Sequence, residues 1–233
     1  NYDSTEIPKS DRIPKLVENL YAKMPEIESA RAILITESYR QTENEPMVIR
    51  RAKAFAHILE NIPIVIRDLE LIVGSTTIAP RGCQTYPEFS YEWLEAEFDT
   101  VETRSADPFY ISEKTKQELK EANAYWKGKT TSELATSYME PETLLAMEHN
   151  IFTPGEVLAI GFSGIKAKAQ AELDKLCLAD GDYQKKSRFL EAVMISCDAA
   201  IEYARRYARL ALKEAEECTD PVRKRELLQI AQN

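Results

Sequence analysis

The sequence predicts a mainly α-helical chain with one or two short strands. Three observations carry that expectation. Ser187 to Glu217 runs without a Gly or Pro, and Ala200, Ala204, Ala208, Ala211 and Ala215 fall on one helical face. A second row, Phe189, Val193, Cys197, Ala200 and Ala204, merges with the first. Elsewhere apolar residues recur every three or four positions between capping and breaking signals. Only Ile64–Ile66 and Leu69–Gly74 read as β-branched runs. A helix over 187–217 would be roughly 45 Å long, the size of a strut in a large body.

Taken in order, Ser10 and Asp11 are capping types and Pro14 fits a first turn, which predicts a helix from Asp11 to Lys23. Pro25 ends it. A second helix is expected from Glu26 to Gln41, with Ile27, Ala30, Leu34 and Ile35 inward. A third runs from Pro46 to Glu60, with Val48, Ala52, Phe55, Leu59 and Ile62 as its apolar row. His57 lies off that row and reads as solvated, or as a support for another side chain, rather than as a ligand. Leu69–Gly74 is read as a strand. Residues 75–90 are irregular, and a loop of that length is usually functional or packed against something. Arg81, Tyr86 and Glu88 are its polar groups, with an internal ion pair the plainer reading.

Helices follow at Tyr91–Thr103, from Ser112 to Trp126 with Gly128 as its stop, from Thr131 or Ser132 to Met139, and from Pro141 to His149. Residues 150–155 form an irregular strip that brings Phe152 beside His149. Glu156–Leu176 is helical, with Val157, Ile160, Ile165, Ala169 and Leu173 inward. After the long helix, Thr219-Asp220-Pro221 caps a last helix, Val222 to Gln232. Its Leu227, Leu228 and Ile230 are expected to be exposed unless more protein covers them.

Composition narrows the function. With 233 residues and 44% apolar content the chain can bury a core. A net charge of −9 argues against a phosphate-backbone partner. No apolar run reaches the roughly 20 residues of a membrane span. Nothing at the start reads as a signal peptide, so a cytoplasmic location is expected. Cys83, Cys177, Cys197 and Cys218 lack C-x-x-C spacing and only two histidines are present, so no metal site is expected. The seven glycines form no phosphate-cradling loop. No catalytic constellation stands out. The candidates for substrate contact are His149, Phe152 and Tyr86.

Four strings then matter in sequence order: ESARAILITESYRQTENEPMVIRRAKAF (28–55), RDLELIVGSTT with APRGCQTYPE (67–88), TRSADPFYISEKTKQELKEANAYWKGKT (103–130) and DPVRKRELLQIA (220–231). Together they resemble the N-terminal part of glycyl radical enzymes of the pyruvate formate-lyase superfamily, over nearly the whole chain. The stretch 129–155 looks most like the choline trimethylamine-lyase branch. Glycerol and propanediol dehydratases, isethionate sulfite-lyase and hydroxyproline dehydratase share the framework.

The resemblance implies a ten-stranded α/β barrel whose helical layer this chain helps to build. It also implies a backbone glycyl radical, installed by a separate activating enzyme that uses S-adenosylmethionine and an iron–sulfur cluster. A thiyl cysteine would take hydrogen from the substrate, and choline would give trimethylamine and acetaldehyde. These groups come from later in a longer polypeptide, so no catalytic residue and no bound cofactor is expected within 1–233. A full-length homodimer, possible enclosure in a bacterial microcompartment and inactivity of residues 1–233 alone are implied as well. Cys83 lacks the Cys-x-Glu pattern and is given no radical role. Family members carry extra residues, including a Gly-His element beside the substrate pocket, where Gly155 here meets Glu156. That joint is expected to be artificial or a deletion. The other readings are a different lyase of the superfamily and a stand-alone helical interaction module. Exposure of Leu227, Ile230 and the alanine row is the feature that should separate a fragment from a module.

Overall fold

In the computed structural model, which describes residues 10–136, 138 and 155–233, local capping chemistry sets most element boundaries. The order is α1 (Arg12–Tyr21), β1 (Glu26–Glu28), α2 (Ala30–Gln41), α3 (Met47–Asn61), β2 (Gly82–Gln84), α4 (Glu92–Glu97), α5 (Glu113–Asn123), α6 (Thr131–Ala135), α7 (Gly155–Leu173), α8 (Tyr183–Glu217) and α9 (Pro221–Gln232). Ser112 caps α5 by accepting from the Thr115 amide, and Thr130 with Glu133 forms a capping box on α6. Asp220 caps α9 by accepting from the Val222 amide, with Pro221 in its first turn.

The organising element is α8. Its 35 residues span about 52 Å, and it packs against α3, α7 and α9. Its buried residues are Ala192, Cys197, Ala199, Tyr207, Ala211 and Ala215. The expected alanine row is therefore only half right. Ala211 and Ala215 lie under α9, but Ala204 is exposed. Leu227 and Ile230 are 2% and 8% exposed, correcting the expectation that the last helix needs an outside cover. They close a cluster with Ile66, Tyr207, Ala211 and Ala215. Each such aliphatic burial is worth about 1.5–3 kcal/mol. Leu228 stays exposed, as expected.

Two other clusters extend the core. One joins Ile27, Ala32, Leu94, Phe98, Val101 and Leu119. The other gathers Ile35, Tyr39, Ala54, Ile58, Ile62 and Trp126, where the buried Trp126 indole donates to Thr36 Oγ1 at 2.8 Å. On α3 the inward residues are Ile49, Ala52, Ala54, Ile58 and Leu59, so Val48 and Phe55 of the expected row face out.

The strands differ from expectation. Glu26–Glu28 is a strand rather than the first turn of α2, and it pairs in parallel with Gly82–Gln84. Leu69–Gly74 is not a strand. Its run is broken at Leu69, whose φ of +67° is a left-handed conformation costing an L-residue roughly 1–2 kcal/mol. Gly82 has a steric reason to be glycine, because a Cβ there would lie 2.4 Å from Thr77 Cβ. The expected helix over 91–103 closes after Glu97, and the expected α7 is interrupted at Gly161, with φ +65° and ψ 175°. Of the inward residues expected on α7, only Ala169 is fully buried. The expected helix from Pro141 to His149 lies outside the described residues.

Candidate functional site

Beyond β2 the chain turns back over α2, and Arg31 holds it there. Its guanidinium donates to both oxygens of Glu88 and to the Thr85 carbonyl at 3.0 Å. The same group lies 3.9 Å above the centre of the Tyr86 ring. Glu88 and Tyr86 are thus engaged in fixing the loop, which is the plainer reading of those residues. Arg81, the third polar group of this loop, stacks on Tyr21 of α1. The exposed edge of Tyr86 is free to meet another surface, but it brings no acid, base or nucleophile with it. His149 and Phe152 lie outside the described residues, so of the three candidates the structure places Tyr86 alone.

A second polar assembly, not anticipated from the sequence, holds the segment between Ile62 and Ala79. Arg67 donates to the carbonyls of Thr77 at 2.8 Å, Ile78 at 3.2 Å and Ala79 at 3.1 Å, and pairs with Glu70. Arg223 donates to the carbonyls of Glu70 and Arg67, and Arg206 to those of Leu59 and Ile62. Arg12 reaches the Leu69 carbonyl at 2.7 Å and also pairs with Glu226. Tyr203 and Tyr207 both donate to the Ser75 carbonyl, at 2.9 and 2.5 Å. Burial, then its neighbour Tyr207, pushes the Tyr203 hydroxyl far above its ordinary range, so it remains a donor. Glu28 accepts from the amides of Ile78 and Ala79. The two Arg-x-x-Glu pairs, Arg67/Glu70 and Arg223/Glu226, were the only local sign of this assembly.

The remaining chemistry-bearing side chains are accounted for structurally. Burial pushes the Cys83 thiol up, away from the reactive thiolate. Cys197 is buried, as the sequence suggested, and burial raises its thiol too. His57 Nε2 lies 3.1 Å from Glu37, and Asn61 contacts the other ring nitrogen. Among the described residues no group of three metal-ligating side chains comes together, and no helix is long and apolar enough to cross a membrane. What these residues do is position backbone. They form a hydrogen-bonded frame that fixes the course of the chain between α3 and β2.

Three comparisons fit that frame. A pyruvate formate lyase-like family model matches residues 5–233. The chain is similar to the solved structure of a protein of 1,2-propanediol dehydration in Roseburia inulinivorans. The two are 64% identical with a TM-score of 0.90, over 100% of this chain and 30% of that one. The glycerol-bound, B12-independent glycerol dehydratase of Clostridium butyricum is 48% identical with a TM-score of 0.87, over 96% of this chain and 30% of that one. The isethionate sulfite-lyase of Desulfovibrio desulfuricans is 34% identical over 246 residues, covering 95% of this chain and 30% of the relative. That alignment is longer than the 233-residue chain, so the relative carries residues with no counterpart here. The chain spans about a third of the length of the relatives it matches.

Proposed function

The chain belongs to the pyruvate formate lyase-like family, and on that premise we propose that it is the N-terminal portion of a glycyl radical dehydratase for a small vicinal diol. The family is one of glycyl radical lyases and dehydratases served by a separate S-adenosylmethionine radical activase. The observation that carries the diol reading is the 64% identity to the propanediol protein across this entire chain. 1,2-Propanediol is the first candidate substrate and glycerol the second. In such a dehydration a carbon–oxygen bond breaks, hydrogen moves to the carbon that loses oxygen, and an aldehyde and water leave. The step is redox-neutral overall. The radical groups belong to polypeptide outside residues 1–233. His149 and Phe152 remain the substrate-side candidates of this portion, with Tyr86 assigned to the frame. A homodimer and enclosure in a microcompartment accompany the reading as proposals.

Choline cleavage is the competing reading, from the choline-branch look of residues 129–155. One assay separates them. The full-length protein, activated anaerobically with its glycyl radical quantified by EPR, is offered 1,2-propanediol, glycerol and choline in turn. The expected result is propanal formation with kcat/KM ~10-fold or more above that for glycerol. A His149→Ala variant is expected to lose about 10-fold in kcat/KM at unchanged radical yield, the scale of one hydrogen bond. Release of trimethylamine from choline, without propanal, would replace the diol reading by carbon–nitrogen cleavage. A full radical signal with no product from any of the three would remove both.

A further inference from the structure

The helical layer of α3, α7 and α8 has two unlike faces. Along α8, Phe189, Ala192, Val193, Cys197 and Ala200 line a groove of about 480 Å³ together with residues of α3 and α7. Half a helical turn round, Asp198, Glu202 and Arg205 line a second depression with Lys166 and Glu60. The second face is charged and internally paired: Lys166 contacts both oxygens of Asp198 at 2.7 and 2.8 Å, and Arg209 pairs with Glu202. Water suits it. The first face is apolar, and Arg51 is the one charged residue lining its groove among the described residues. Yet Phe189 is 58% exposed, Phe55 43% and Phe162 40%.

A contiguous groove of aromatic and aliphatic side chains marks a surface made for contact. Its near-absence of charge selects the kind of contact. Interfaces between separable proteins are about as polar as the rest of a surface, whereas a core cut open is depleted of charge. The relatives supply the missing half, since their polypeptides extend over more than twice the length of the part matched here. We propose that this groove seats an apolar segment of the remaining polypeptide of the same longer molecule, and that the charged face opposite stays in solvent. The inference rests on the reading of this chain as a portion of a longer enzyme. It adds the surface by which that portion joins the rest.

The test uses the full-length protein carrying the photo-cross-linker p-benzoylphenylalanine at position 189 or, separately, at position 55. Light-dependent products are mapped by mass spectrometry in a mixture of isotopically light and heavy copies. The expected result at both positions is a cross-link within one copy, to peptides outside residues 1–233. Mixed light–heavy products would assign the groove to a second copy and overturn the inference. Cross-links to residues 139–154, or none while both positions react with solvent-borne label, would overturn it as well. The substrate assay reads independently, so trimethylamine release together with the expected cross-links would discard the diol and keep the groove. A native polypeptide of only 26.6 kDa would discard the reading as a portion and this inference with it.

Discussion

Glu226 sits between two guanidinium groups. Hydrogen bonding from Arg12, and after it from Arg223, holds its carboxyl below the ordinary carboxylate range. A lowered folded value means that the ionised form is preferred in the native state. The stabilisation is complete above the unfolded value of about 4.3 and disappears as pH falls through the lowered folded value. Glu226→Gln is therefore expected to lower the urea midpoint at pH 7, with the difference from wild type shrinking between about pH 5 and pH 3. Equal pH slopes for the two proteins would contradict the pairing. Position decides how legible such residues are. Ser112 and Asp220 were readable as caps because their partners lie within three residues, whereas Thr130, the cap of α6, was passed over for the residue after it. Arg67, Arg206 and Arg223 were not, because most of their partners are main-chain oxygens 10 to 156 residues away.

At the scale of elements, helices were legible wherever period and cap agreed, and the strands were not. Leu69–Gly74 has the β-branched composition of a strand but finds no neighbour to pair with. Glu26–Glu28 has little of that composition, yet it lies in register with Gly82–Gln84. Strand formation follows the partner more than the residue. The break in α7 has a different origin. Gly161 holds a backbone conformation open almost only to glycine, and among the described residues no atom from outside its own stretch of helix lies within 4 Å of the Cβ that alanine would add. Gly161→Ala would thus meet backbone strain without a clash, at a cost of about 1–3 kcal/mol if the break persists. The expected readout is a lower melting temperature of the full-length protein with little change in helical circular dichroism. A rise in both would mean that α7 straightens and that the break is not imposed by the surrounding fold.

For the whole molecule, burial of Leu227 and Ile230 is what a self-contained module should show, while the exposed Ala204 points the other way; family membership rests on the comparisons. The superfamily was legible in ordered strings of residues, whereas the choice among substrates was not, because the described residues assemble no substrate-binding constellation and His149 and Phe152 lie outside them. The joint at Gly155 and Glu156 is a further proposal at this scale, motivated by the relative's additional residues. Peptide mapping of the native protein should recover a spacer between these two residues, and a native peptide with Gly155 bonded directly to Glu156 would dismiss the idea. The segment from Ile62 to Ala79 leads elsewhere. Arginines and tyrosines grip it chiefly by carbonyl oxygens, which every amino acid possesses, while Leu71, Ile72 and Ile78 point outward. Its route is therefore written in the surrounding helices and in its own Arg67 and Ile66, and owes little to its outward side chains. Mutation can redraw the outer contour of this segment without rerouting it, which gives a lineage of enzymes room to diversify a surface on an inherited track.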